Sequence, residues 1–131
     1  AYKQLWRYMF DYLHNAGVNN LIWVWTSQNN GDTDWYPGDE YVDIIGQDIY
    51  EKGAASNAAD YIKLQATYPD NIIALSECGS VGKISEQWAK GARWSYFMPW
   101  YQYNAPTLDG HMHANTEWWK DAMKCDAVIA R

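Results

Sequence analysis

Cysteine is scarce: Cys78 and Cys125 are the only two in 131 residues. They allow one disulfide at most and lie in no CxxC or zinc-ligand spacing, so cysteine gives no sign of a disulfide framework or a zinc site and both read as free buried thiols. Positive charge is scarce too. Ten Lys and Arg stand against sixteen Asp and Glu, for a net charge of −6, and no Lys/Arg run occurs; this argues against a nucleic-acid footprint. No stretch nears the roughly 18 unbroken apolar residues of a membrane span. A dinucleotide fingerprint after the first apolar run is missing, which weakens a Rossmann reading. No Ser-His-Asp or Cys-His constellation is present. His111 and His113 form an HxH without further ligands, a poor metal signal. Asp32, Asp34 and Asp39 crowd one loop but miss the calcium-loop spacing and read as a solvated loop.

Phenylalanine is the last shortage: two, against nine Trp and eleven Tyr. Such an aromatic load excludes disorder. It fits either a Trp-rich core or a surface that stacks on sugar rings and hydrogen-bonds their hydroxyls, since Trp and Tyr carry a polar handle on a flat apolar body. The length suffices for one domain with its own core, yet is about half of a typical eight-unit α/β barrel of roughly 250 residues.

Helix-like and strand-like segments alternate. Residues 2–16 place Leu5, Trp6, Met9, Phe10 and Leu13 at helical spacing before Asn15-Ala16-Gly17. Residues 21–26, 43–50, 72–77 and 93–99 read as strands. Residues 56–68 (with Ser56 as N-cap), 84–91 and 115–129 read as helices. The order predicts βαβ units on a parallel sheet: four βα units and a leading helix, spaced like the second half of a (β/α)8 TIM barrel. Periodicity alone leaves a small flavodoxin-like sheet open.

In parallel α/β folds the chemistry gathers at the carboxyl ends of the strands. Glu77 ends an otherwise apolar strand, and strict alternation puts it on the face of Ile73 and Leu75, with Cys78 opposite. A carboxylate there is costly unless paired or used; it is either catalytic or a cap on loop amides. Asp48 and Tyr50 share a face, and a phenol beside a carboxylate can hold it and tune its charge. Trp25 and Trp100 could be sugar platforms or plain packing.

Four stretches together resemble a known family: Asn20-Leu21-Ile22-Trp23-Val24-Trp25-Thr26 followed by Trp35-Tyr36-Pro37-Gly38-Asp39; Val42-Asp43-Ile44-Ile45-Gly46-Gln47-Asp48-Ile49-Tyr50; Ala74-Leu75-Ser76-Glu77-Cys78-Gly79; and Trp94-Ser95-Tyr96-Phe97-Met98-Pro99-Trp100. Across essentially the whole chain they are similar to the C-terminal half of the glycoside hydrolase family 26 endo-β-1,4-mannanases. The resemblance implies a TIM barrel, retaining hydrolysis of β-mannan and no cofactor. It implies that Glu77 is the nucleophile, that Tyr50 orients it, and that Trp100, with Trp25 and Asp48, lines the sugar site. It leaves room for a non-catalytic carbohydrate-binding fragment, or for a relative acting on β-1,3-xylan or mixed-linkage glucan.

One departure stands out. The family's acid/base Glu ends the fourth strand in a His-Glu pair, and this sequence has no such pair and no strand before its first helix. The expected partner is therefore the N-terminal half of the barrel, or a second copy of this chain, covering the open strand edges and inner face. Polymer hydrolysis implies an extracellular or cell-surface setting. The opening Ala1-Tyr2-Lys3-Gln4-Leu5-Trp6 is already helix-like, so a targeting segment is expected upstream.

Overall fold

A computed structural model describes residues 1–28, 32–101, 107 and 109–130. The tips of the two long loops, 29–31 and most of 102–108, lie outside the described residues. Four parallel strands form one sheet in sequence order: β1 (Val24–Ser27), β2 (Ile44–Tyr50), β3 (Ile72–Gly79) and β4 (Phe97–Pro99). Helix α1 (Tyr2–Asn15) precedes β1, α2 (Ala54–Thr67) joins β2 to β3, α3 (Ile84–Ala89) joins β3 to β4, and α4 (Thr116–Lys124) follows. Each strand thus returns through a helix to a parallel neighbour, the arrangement that βα alternation predicts.

The helices pack on one face of the sheet. Near β1 and β2 the core gathers Trp25, Ile45, Ala58, Tyr61, Leu64, Tyr68 and Ile73. Towards β4 it gathers Ile49, Leu75, Cys78, Ile84, Trp118 and Ala122. Full burial of each large apolar side chain contributes about 1.5–3 kcal/mol, so these two clusters dominate the stability of the fold. Polar ties fix the helices on the sheet. Asn115 caps α4 by accepting from Trp118 N at 3.0 Å. Asp121 of α4 accepts from the Ser85 backbone N–H at 3.0 Å and from its hydroxyl at 2.6 Å, satisfying the start of α3.

Several boundaries differ from the sequence expectation. Strand β1 starts at Val24 rather than 21, because a 3₁₀ turn at Asp39–Tyr41 delays the start of β2. Instead Trp23 N donates to the Asp43 carboxylate at 2.7 Å. Strand β4 shrinks to three residues, although Ser95 N still donates to Ile73 O. Helix α2 begins at Ala54, with Gly53 rather than Ser56 as its N-cap, because its first turn docks on Gly82. A Cβ at Gly82 would lie 2.3 Å from Ala54 N, and Asn57 Oδ1 accepts from Gly82 N. Helices α3 and α4 stop at Ala89 and Lys124, short of 91 and 129. The chain leaves α4 through an extended Cys125, with no Gly or Pro to announce it.

Helix α1 sits apart from the other three. Trp6 Nε1 donates to Tyr41 O at 3.0 Å, and Arg7 Nε donates to Pro37 O at 2.8 Å. Phe10 packs on Trp23 and Tyr41, with ring centroids 5.2 Å apart in each pair. Leu5, Tyr8, Met9 and Tyr12 are exposed, and Ile22, just before β1, is 71% exposed.

Candidate active site

A defect in β3 places the carboxylate. Along β2, Gly46 to Asp48 spans two steps while its partners Ala74 to Glu77 span three. Along β4, Phe97 to Pro99 spans two while Leu75 to Cys78 spans three. Both neighbours therefore register one extra residue in β3, a β-bulge. Leu75 and Cys78 face the helices, and the two residues between them, Ser76 and Glu77, both turn to the opposite, inner face. Strict alternation is thus corrected: Glu77 does not share the face of Ile73 and Leu75. The bulge changes the phase of the strand and points the carboxylate away from the apolar core. Cys78 lies opposite Glu77, as expected, in sheet–helix packing. Burial first, then the Asp48 and Glu77 charges, push its thiol up to about 12, so it stays a thiol at neutral pH.

Below Glu77 the inner face is small and polar. Thr26 and Ser76 hydroxyls meet at 3.0 Å across Gly46. A Cβ at Gly46 would stand 2.2 Å from Ser76 Oγ and 2.7 Å from Thr26 Oγ1, so only glycine lets the flanking strands join hydroxyls there.

At the carboxyl end of the strands, Tyr50 O–H donates to Glu77 Oε1 at 2.9 Å. Burial raises the phenol's pKa well above its ordinary value, reinforced by the hydrogen bond to Glu77 and by the Glu77 and Asp48 charges. The phenol therefore keeps its proton and remains a hydrogen-bond donor to the Glu77 carboxyl group. Asp48 is the backbone partner of Glu77 across β2 and β3. Its Oδ2 accepts from Gln28 Nε2 at 3.3 Å, while Oδ1 is buried without a partner among the described residues. Two carboxylates, one phenol donor and one amide donor thus converge at one rim.

Trp100 follows β4 and is tied down by its backbone N–H to Cys78 O at 2.7 Å; its side chain is 48% exposed. With Pro99, Tyr101, His111, Ala114 and Trp119 it lines an open recess of about 280 Å³. Trp25 does not join this rim, contrary to expectation. It is 2% exposed and faces the helices, with its ring centroid 5.2 Å from Tyr36 and 6.1 Å from Tyr68. Its place in β1, one residue from inward-facing Thr26, makes it core. His111 and His113 rings lie 6.2 Å apart, and no cluster of three metal-ligating side chains occurs among the described residues. Gln28 and His113 belong to the site's surroundings and escape sequence reasoning, since each reaches the rim from a loop.

The family model for glycosyl hydrolase family 26 matches residues 1–123. The chain belongs to glycosyl hydrolase family 26. It is 39% identical over 100 residues to a mannan endo-1,4-beta-mannosidase of Thermothelomyces thermophilus, covering 75% of this chain and 20% of that protein. It is 31% identical over 121 residues to the Bacillus subtilis (strain 168) mannan endo-1,4-beta-mannosidase, covering 89% of this chain and 31% of the relative. Among solved structures, the family 26 domain of a Prevotella bryantii endo-beta-mannanase/endo-beta-glucanase superposes with a TM-score of 0.86 at 42% identity, over 98% of this chain and 40% of that one. A beta-mannanase from a symbiotic protist of the termite Reticulitermes speratus, solved with a gluco-manno-oligosaccharide, gives 0.79 at 38% identity, over 98% and 39%. This chain therefore spans well under half the length of these relatives. Its parallel four-stranded sheet with helices on one face is part of a (β/α)8 barrel.

Proposed function

We propose that this chain carries the nucleophile side of a retaining endo-β-1,4-mannanase site. The observation that carries the reading is the Tyr50–Glu77 hydrogen bond at the carboxyl ends of adjacent barrel strands, in a chain similar to mannan endo-1,4-beta-mannosidases. Glu77 attacks the anomeric carbon of a β-1,4-linked mannosyl unit. The glycosidic C–O bond breaks, and the leaving oxygen takes a proton from a second carboxyl group. Water, deprotonated by that same group, then hydrolyses the glycosyl–Glu77 ester and restores both residues. Tyr50 holds the Glu77 carboxylate in line, and Trp100 offers a flat face to a sugar ring.

Retaining chemistry needs its two carboxyl groups about 5–5.5 Å apart. The acid/base is a Glu supplied by the preceding half of the barrel. The apolar side chains left open on α1 and before β1 are consistent with that half packing there, as are exposed Ile72 and Met98 on the inner face. A polymeric substrate places the enzyme outside the cell or on its surface.

The test is reducing-sugar release from soluble β-mannan by the intact enzyme, its Glu77→Gln variant and this chain alone. The intact enzyme should be active, the variant should lose roughly a thousandfold or more in kcat, and the isolated chain should be inactive. Full activity in Glu77→Gln overturns the nucleophile. Binding of manno-oligosaccharides by an intact protein that never hydrolyses them would point to a carbohydrate-binding role.

A further inference from the structure

The hydrogen bond from Tyr50 to Glu77 needs the phenol ring to lean across from β2 over β3. The residue beneath it is Gly79, the backbone partner of Tyr50. A Cβ at Gly79 would lie 2.4 Å from Tyr50 Cε1 and 2.5 Å from His113 Nδ1. The space a side chain would fill is therefore shared by two rings. Their centroids are 5.4 Å apart at 87°, an edge-to-face pair, the arrangement aromatic rings prefer.

The loop that brings His113 is fastened at this same point. Ser80 N donates to His113 O at 3.0 Å, and Ser80 Oγ donates to Met112 O at 3.0 Å. Ser80 holds a left-handed φ of 53°, and Glu51, directly after Tyr50, one of 55°. Glu51 N donates to Gly79 O at 3.0 Å. Two side-chain-bearing residues thus adopt a costly backbone conformation side by side, a feature that concentrates at functional sites. His113 Nδ1 is buried and makes no hydrogen bond among the described residues. The imidazole therefore meets Tyr50 as a packed ring, not through a bond from that nitrogen.

We infer that His113 and Gly79 are positioning residues for Tyr50: the glycine opens the seat and the imidazole closes it, so that the phenol can hold the Glu77 carboxylate. The inference rests on the mannanase reading above. It assigns no contact with substrate to either residue.

The experiment is a double-mutant cycle on the intact enzyme with soluble β-mannan. kcat is expressed per active site titrated with an activated 2-fluoro-mannoside; Glu77→Gln, which has no carboxylate for that reagent to label, serves as the control and is expressed per mole of folded protein. His113→Ala should lower kcat by about tenfold, the value of a weakened bond to a charged acceptor. KM should stay within about twofold, since ground-state binding is untouched. His113→Phe, which keeps a flat ring, should restore most of the loss. In a Tyr50→Phe background, where no phenol remains to be aimed, His113→Ala should cost nothing more. Gly79→Ala should behave like His113→Ala in both backgrounds. The inference is overturned by an unchanged kcat in His113→Ala, by losses that multiply in the Tyr50→Phe background, or by His113→Phe failing to restore turnover. Those outcomes leave the mannanase reading intact if Glu77→Gln remains inactive; an active Glu77→Gln removes that reading instead.

Discussion

The two faces of one sheet differ more than any two elements of the molecule. Towards the helices, β2 and β3 present Ile45, Ile49, Leu75 and Cys78, all buried in apolar clusters. Towards the inside they present Gly46, Asp48, Tyr50, Ser76 and Glu77, where Tyr50 donates to Glu77 and the Ser76 hydroxyl meets that of Thr26. The same backbone thus serves stability on one side and, on the function proposed above, chemistry on the other. A carboxylate can be left at the rim only because the opposite face supplies the stabilising burial.

The strongest way to break that division is to damage the helix-facing side alone. Leu75→Ala removes a fully buried side chain and should cost about 2–5 kcal/mol. Urea unfolding would read this as a lower midpoint, with kcat per titrated site unchanged. A loss of kcat at full stability would show that the faces are not separable.

A smaller effect sharpens the comparison from the inner side. Gly46→Ala drives a methyl into Ser76 and Thr26 and should destabilise by about 1–3 kcal/mol. Adding Ser76→Gly should recover part of that loss in thermal unfolding. No recovery would mean that the hydroxyl pair does not set the spacing of the strands.

The smallest effect is electrostatic. The Cys78 thiol is pushed up to about 12 in the folded chain, whereas an exposed thiol in the unfolded chain releases that proton near 9.0. Between those values the folded state binds more protons than the unfolded one. Its contribution to stability is therefore complete below the unfolded value and falls as pH rises towards the folded one, by about 1 kcal/mol between about pH 8 and pH 9.5. Unfolding free energies for Cys78→Ala should fall less steeply over that range. An identical slope would remove Cys78 as the cause.

Much of this was readable beforehand. The βα alternation, the length of α1, and the placement of Tyr50 at a strand end and of Glu77 near one all follow from apolar periodicity and from where parallel strands stop, although β3 runs on past Glu77 to Gly79 rather than ending at 77. The face of Glu77 did not follow, because a bulge is an event between strands: its sign is a count of partners on β2 and β4, and no residue in Leu75-Ser76-Glu77 announces it. Trp25 misled for a related reason. A Trp in an apolar run looks alike whether it faces sugar or core, and the decision belongs to Tyr36 and Tyr68, which arrive from elsewhere in the chain. His113 escaped because its partner, Tyr50, lies on the other side of two helices and two strands in the sequence.

The bulge in β3 also divides the strand into two segments with independent phase. Residues before it can be exchanged among apolar types to suit the helices without turning Glu77, and residues after it can be retuned without disturbing the core. Deleting Ser76 would remove the bulge and restore plain alternation, with Leu75 and Cys78 still towards the helices and Glu77 still inward, at the loss of the hydroxyl that meets Thr26. In engineering terms the extra residue is a clutch: it lets the aim of Glu77 and the packing of the protein be adjusted one at a time.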